Sequence, residues 1–294
     1  MSPDTFFTTP TEHAAETRYE EYGKHLGDSP ERDEMLELCR ALNVRFLRLV
    51  FIDILGMPKN VEVPASQFDK AFDGEILFDG SSIEGFVRIE ESDMLLKPDL
   101  ETFRVFPWGN PDARVAQVFC DVHRPNGDVF MGDPRGCLRR VVDQASAMGY
   151  VMNAGVEAEF FLFLRDESGN STVETHDAGG YFDLTPVDLG ERARRHMVTN
   201  LEAMGLEIEA AHHEVAQGQH EIDFKYGEAL RTADDLMTFK FVVRNVAHAH
   251  GLHATFMPKP IFGANGSGMH THQSMFEDGE NIFFDAEAEY QLSP

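Results

Sequence analysis

HHEVAQGQHEIDFKY, residues 212–226, reads as two strands joined by a chain reversal at Gln217-Gly218-Gln219. Glu214 and Glu221 lie seven positions apart, which would put them on opposite faces of one continuous strand. Across a hairpin the two carboxylates can instead converge on a single cross-strand site. His212, His213 and His220 read first as hydrogen-bonding helpers or surface residues, and only second as ligands. Upstream, VEAEFFLFL (156–164) reads as another strand, with Glu157 and Glu159 on one face and Phe160–Phe163 enclosing it. Two enclosed carboxylates repel, and burying them unpaired costs several kcal/mol. Either the pair faces water at a strand end, or a divalent cation such as Mg²⁺ or Mn²⁺, which prefers carboxylate oxygens, sits among the four glutamates.

Outward from these strands, helices and strands alternate. DLGERARRHMVTNLEAMG (188–205) and TADDLMTFKFVVRNVAHAHG (232–251, with Thr232 as its cap) read as helices, and LHATFMPKP as a strand. Helices on one side of a largely antiparallel sheet, an α+β fold, suit this pattern better than strict βαβ winding. Toward the N-terminus, ERDEMLELCRALN (31–43) has helical apolar spacing, and Arg45–Ile54 and ARVAQVFCDV read as strands. DPRGCLRRVVDQASAMG (133–149) reads as a helix capped by Asp133 and Pro134 and stopped by Gly149. The expected organisation is a polar extension over 1–32, one domain over 33–128 and a second over 129–294.

The chain has 294 residues and a net charge of −26, with 51 acidic against 25 basic residues. Such an excess argues against nucleic acid or an anionic membrane as partner, since no basic block exceeds Arg192–Arg195. No apolar run approaches the roughly 18 residues that span a bilayer, and the start lacks a basic, apolar leader, so a cytoplasmic location is expected. Only seven of the 25 basic residues are lysines. A dense acidic, lysine-poor surface suits concentrated salt, where self-repulsion is screened, and a halophilic source is expected. Cys39, Cys120 and Cys137 have no paired spacing and read as reduced thiols.

Two further segments carry chemistry. In PIFGANGSGMHTHQS (260–274), Gly263, Gly266 and Gly268 let backbone amides approach a small anion, and His270 and His272 project from one side of the strand that follows. The order is neither the dinucleotide GxGxxG nor GxxxxGK[ST], so phosphates here would need metal ions and arginines. FDGSSIEGF (78–86) is a tight polar loop between apolar flanks, with no function assignable from its own residues.

Taken together, FDGSSIEGF, VEAEFFLF, HHEVAQGQHEIDFKY and KPIFGANGSGMHTHQS resemble glutamine synthetase of the bacterial and archaeal type I, in the family's order and spacing from about residue 33 to the last residue. EGFVRIEESDM, with Phe86 where other members have tryptophan, resembles the subgroup regulated by glutamine feedback. The resemblance implies a small β-grasp N-terminal domain followed by a catalytic domain of curved antiparallel sheet with helices, incomplete here. It also implies homo-oligomers of two stacked rings with active sites between neighbours. Carried over by position, Glu159, Glu214 and Glu221 would hold one metal, and Glu157 and His270 the other. Asn265 and Gly266 would contact glutamate. Glu209, His272 and Ser274 would line the ATP path, with Phe224, Lys225 and Tyr226 near the nucleoside. Asp79, in the family's latch loop, would take a proton from ammonium in the adjacent subunit's site, and Arg88 would belong to the feedback switch.

The implied reaction joins ammonia to L-glutamate at the expense of ATP, through γ-glutamyl phosphate. The sequence ends at Gln291-Leu292-Ser293-Pro294, before the family's last third, which holds a further metal-ligating glutamate, a flap glutamate and the ATP- and carboxylate-binding arginines. The expectation is therefore a fragment without activity of its own. Two alternatives stand beside it: a related ligase joining glutamate to an amine or polyamine, and a non-catalytic remnant or subunit that associates with intact rings.

Overall fold

The computed structural model describes residues 30–86 and 93–293. Arg88 and nearly all of the extension expected over 1–32 lie outside the described residues. By backbone contacts the described chain forms two units that divide between Met148 and Gly149.

In the first unit, α1 (Arg32–Ala41) buries Met35, Leu36, Leu38 and Cys39, the stripe its sequence spacing marks out. The strands are β1 (Val44–Ile52), β2 (Pro58–Pro64), β3 (Ile76–Asp79), β4 (Asp93–Pro98), β5 (Arg104–Val105) and β6 (Arg114–His123), with a short helix α2 (Phe68–Phe72) before β3. They form one sheet in the order β2-β1-β6-β4-β3, with β5 also on β6. β1 runs parallel to β6, and the other pairs are antiparallel. The β1–β2 turn is held by Asp53, whose Oδ1 accepts from the backbone N–H of Leu55 (3.0 Å) and Met57 (2.8 Å). Gly56 there takes φ +74°, which a side chain would strain. Helix α3 (Pro134–Ala147) starts at the expected cap: Asp133 Oδ1 accepts from Arg135 N–H, and its Oδ2 accepts from Val122 N–H of β6 at 3.0 Å. The expected domain boundary at 128–129 precedes α3, whereas the contacts group this helix with the first unit, because its cap and Arg135 are tied to β6. Cys39 and Cys120 are buried free thiols; burial pushes the Cys39 thiol up to about 12, out of reach of ordinary thiolate chemistry.

The second unit is a nine-stranded sheet: β7 (Tyr150–Ala158), β8 (Phe160–Arg165), β9 (Ser171–Thr175), β10 (Ile208–His213), β11 (Gln219–Phe224), β12 (Gly227–Glu228), β13 (Leu252–Thr255), β14 (Met269–Glu277) and β15 (Glu280–Asn281). The main order is β13-β8-β11-β7-β14-β15, every pair is antiparallel, and β10 pairs with β11. Helices α4 (Glu191–Ala203) and α5 (Ala229–Ala249) pack on each other and on the sheet. Between them and the strands lies a core that includes Phe160, Met197, Leu201 and Phe239, all fully buried. No described helix is long and apolar enough to cross a membrane.

Three local expectations change. The segment 156–164 is two strands, because the chain leaves β7's partners at Glu159 and takes up those of β8. Helix α5 begins at Ala229, so Thr232 is not its cap; the Thr232 hydroxyl instead donates to the Ala154 carbonyl at 3.0 Å. The polar stretch DESGNSTVET (166–175) after the 156–164 segment reads as a loop, yet Ser171–Thr175 of it, with Glu174, forms β9.

Candidate active site

Burial alternates from Val156 to Phe160: Val156, Ala158 and Phe160 face the core, while Glu157 and Glu159 turn to the other face. The 212–226 hairpin forms as its sequence dictates. His212 pairs with Glu221 and His213 with His220, and the turn closes through Gln219 N–H to the Ala216 carbonyl (3.0 Å), with Gly218 at φ +68°. Gln219, Glu221 and Asp223 thereby share the face opposite to His220, Ile222 and Phe224. Asp223 is the register partner of Glu157, which brings the two strands' acids together.

The electrostatics record this convergence. Burial, then a hydrogen bond with the Asp223 carboxyl and the charges of Asp223, Glu214 and Glu159, pushes the Glu221 carboxyl up to about 9. Burial and Glu214 likewise raise Glu159, and burial, Glu157 and Glu209 act to raise Asp223. Glu157 moves the other way. Burial would raise it, but hydrogen bonds from His272 Nε2 (2.8 Å) and His270 Nδ1 (3.2 Å) outweigh that and lower it. Those bonds exist because β14 pairs with β7 in the register His270 opposite Glu157, His272 opposite Gly155 and Ser274 opposite Asn153.

The residues present fit a hard divalent cation. Asp223 Oδ1 is buried without a hydrogen-bond donor. A Cβ added at Gly268 would lie 3.0 Å from Glu159 Oε1 and 3.3 Å from His270 Nε2, so this glycine keeps open the space that both ligand atoms face. The donor set is rich in carboxylate oxygen, as Mg²⁺ and Mn²⁺ require. Asp223 was missed as a member of the group, and His212 was read only second as a ligand; with Glu221 they place ligand atoms within 4.8 Å of one another. The two-residue spacing of Glu221 and Asp223, the same as that of Glu157 and Glu159, was the signal available.

A second group lies on the opposite face of the hairpin and was also missed. Asp177 accepts from Gly218 N–H (2.9 Å) and Leu189 N–H (3.2 Å), and lies 3.1 Å from His213 Nε2 and 3.0 Å from His176 Nε2. Burial would raise Asp177, but the bonds from His176 and His213 hold it far below the usual carboxylate range. Burial would lower the His213 pKa, but its ring nitrogens face Asp177 Oδ1 (3.1 Å) and the Glu214 carbonyl (2.7 Å), and these acceptors raise it. Arg194 donates to Asp188 Oδ2 (2.7 Å) and to His220 Nδ1 (2.8 Å). His176, Asp177, Asp188 and His220 are close enough to suggest a metal. With a guanidinium among them and their atoms spent on hydrogen bonds, they form a structural network that holds the hairpin.

The remaining expected residues are dispersed. Glu209 is exposed at a bulge of β10 opposite β11. Phe224 points into the core against Phe239, so its side chain is not on the carboxylate face. Lys225 is exposed and pairs with Glu207 at 2.9 Å, and Tyr226 is exposed beyond the strand end. Asn265 is exposed in the glycine loop, while an added Cβ at Gly266 would meet the Pro258 carbonyl at 2.5 Å, which only glycine avoids. In the first unit, Asp79 Oδ1 accepts from Ser81 Oγ (2.6 Å) and N–H (2.8 Å), and these bonds lower its pKa and keep it ionised.

Residues 43–125 match the family model of the glutamine synthetase beta-grasp domain, and residues 131–294 match that of the glutamine synthetase catalytic domain. The chain belongs to the glutamine synthetase family. It is 62% identical over 264 residues to a glutamine synthetase of Thermus thermophilus, covering 88% of this chain and 59% of the relative. It is 56% identical over 262 residues to one of Clostridium saccharobutylicum, covering 89% and 59%. Among solved structures, the ADP complex of GmaS superposes with TM-score 0.80 at 31% identity, over 88% of this chain and 59% of that one. Plasmodium falciparum glutamine synthetase shares the fold with TM-score 0.80 at 24% identity. The α+β architecture, a β-grasp unit and a curled catalytic sheet with helices, is the fold of this family. The chain spans 59% of the length of its glutamine synthetase relatives.

In this family member the raised Glu221 carboxyl has a measurable consequence. The neighbouring Glu221 and Asp223 carboxyls both hold their protons more tightly than ordinary carboxyls, so a cation bound there would displace a proton. Mn²⁺ binding at pH 7 is expected to release about one proton per ion, read by calorimetry in buffers of different ionisation enthalpy. Because the folded pKa lies above the unfolded value, Glu221's contribution to metal-free stability is full below about pH 4.5 and is lost as the pH rises toward about 9. Binding with no proton release would show that the carboxylates are already ionised.

Proposed function

We propose that this chain carries the metal-binding and ammonia-handling parts of an ATP-dependent ligase that joins ammonia to L-glutamate and yields L-glutamine, ADP and phosphate. The observation that supports it is the cross-strand acidic group. Asp223 lies opposite Glu157, Glu221 is within 4.8 Å of Asp223 and His212, and Glu159 and Glu214 are near enough for their charges to act on Glu221. Glu157 is bonded to His270. Glu159, Glu214 and Glu221 would hold one Mg²⁺ or Mn²⁺, and Glu157 and His270 a second. Bound there, the ions supply charge neutralisation for phosphoryl transfer. The glutamate γ-carboxylate attacks the ATP γ-phosphorus and ADP leaves; ammonia then attacks the γ-carbonyl carbon and phosphate leaves. Asn265 and Gly266 are inferred to position the glutamate, and His272, Ser274 and Glu209 to line the ATP path. The Phe224–Tyr226 segment is inferred to meet the nucleoside through Lys225, Tyr226 and backbone atoms. Asp79, kept ionised by Ser81, is inferred to attract ammonium and accept its proton in a neighbouring subunit of a stacked double ring.

The test assays ATP-dependent glutamine formation by the protein of the whole reading frame, at about 0.1 M and at molar KCl because of the acidic surface, with its mass measured by light scattering. The 294-residue span by itself is expected to bind Mn²⁺ and form no glutamine. The span covers 59% of the length of its relatives, and each preorganised charge on a transferring phosphoryl group is worth about 10²–10³ in rate. Turnover by the span within tenfold of the whole-frame protein would overturn this site map. Faster ligation of putrescine than of ammonia would overturn the choice of acceptor.

A further inference from the structure

Gln219 is fully buried at the start of β11, between the carboxylate group and the glycine loop, and no role for it is implied by the readings above. Its Oε1 accepts from Ala216 N–H at 3.1 Å, which identifies the oxygen end of the amide and leaves Nε2 as the donor toward Glu159 and the loop. Its Nε2 donates to Glu159 Oε2 at 2.7 Å and to the Gly266 carbonyl at 2.9 Å, with Ser267 Oγ at 3.3 Å. The backbone of the same residue closes the hairpin: its carbonyl accepts from Glu214 N–H at 2.8 Å. The buried side-chain amide therefore touches a carboxylate of the proposed metal group and the loop proposed to bind glutamate, while the backbone of the same residue holds the strand end that carries Glu214.

We propose that Gln219 is a positioning residue that couples cation binding at the Glu159 group to the order of the 263–268 loop. This rests on the metal reading given under Proposed function. By holding Glu159 Oε2, Gln219 leaves Oε1 as the oxygen that faces the space kept open by Gly268 and His270. A cation that fixes Glu159 then fixes the amide, and the amide fixes the Gly266 carbonyl. The loop's other described ties are Ser267 N–H to the Pro258 carbonyl at 2.8 Å, Lys259 Nζ to the Ala264 carbonyl and, at its last residue, Gly268, which meets Glu159 through its carbonyl (3.3 Å) and its N–H. The coupling is reciprocal, so a ligand that orders the loop also tightens the cation.

The experiment uses the whole chain, with Mn²⁺ as the probe. Binding is followed by electron paramagnetic resonance, and loop order by amide hydrogen exchange of the peptide containing residues 263–268. In the unsubstituted protein, saturating Mn²⁺ is expected to slow exchange in this loop about tenfold or more. In Gln219→Leu, Mn²⁺ affinity is expected to fall about 10–100-fold, the usual cost of losing an outer-shell partner. At saturation of that variant, exchange over residues 263–267 is expected to be the same with and without Mn²⁺, while Gly268 keeps its own bond to Glu159. Where Gln219→Leu fails to fold, Gln219→Glu keeps the shape and the bond from Ala216 N–H while replacing the donor with an acceptor. Mn²⁺-dependent protection of residues 263–267 that persists in the folded variant, or is absent from the unsubstituted protein that binds Mn²⁺, overturns the coupling alone. An unsubstituted protein that binds no Mn²⁺, or binds it equally well as Glu159→Ala, overturns the metal reading and the coupling with it.

Discussion

Glu159→Ala is expected to abolish Mn²⁺ binding at the carboxylate group, and glutamine formation by the protein of the whole reading frame. The substitution removes a proposed ligand and leaves Glu214, Glu221 and Asp223 as like charges with fewer ways to share a cation. It also strips Gln219 Nε2 of its shortest partner, so the inner and outer parts of the site fail together. The loss of affinity should exceed the roughly 10–100-fold that outer-shell changes cost. Glu174→Ala is the control. Glu174 is exposed on β9, and its one described bond is from its own backbone N–H to Thr172 Oγ1, so the variant should bind Mn²⁺ as the unsubstituted protein does. Equal affinity in the two variants would sink the assignment of Glu159 as a ligand.

Arg194→Ala is expected to be the most destabilising single change in the second unit. The guanidinium is 9% exposed and its partner Asp188 fully buried, at 2.7 Å. Removing one member of such a pair leaves a buried carboxylate whose remaining described donor is Gly190 N–H, and breaking buried pairs costs about 3–5 kcal/mol. For a unit of this size each kcal/mol lowers the thermal midpoint by about 2–4 °C, so a fall of roughly 10 °C is expected by circular dichroism. The His220 Nδ1 acceptor also loses its donor, loosening the hairpin behind Glu221. Asp188→Asn combined with Arg194→Leu should recover part of the loss, because neither charge then remains buried. A single-variant loss under about 1 kcal/mol, the range of exposed pairs, would mean the network is hydrated in solution.

Much of the site is written locally. The Gln217-Gly218-Gln219 turn, the same-face spacing of Glu157 with Glu159, the cap at Asp133 and the apolar stripe of α1 each depend on residues a few positions apart. Turn chemistry and side-chain period are set at that range, so sequence by itself determined the hairpin, the alternation of faces and, through the resemblance of four motifs, the family. What only the tertiary structure decided depends on register between distant strands. His270 meets Glu157 across 113 residues of chain because β14 pairs with β7 in one register, and a slip of one residue would turn both histidines to the other face. The same pairing choices split 156–164 at Glu159, sent Phe224 into the core and freed Thr232 from capping duty. They also laid Gln219 against Gly266, 47 positions away, and Asp177 under Gly218, 41 positions away. Buried hydrogen bonds of this kind join whichever groups packing brings within about 3 Å. Residue type marks such groups as able to bond, and the fold alone decides with what.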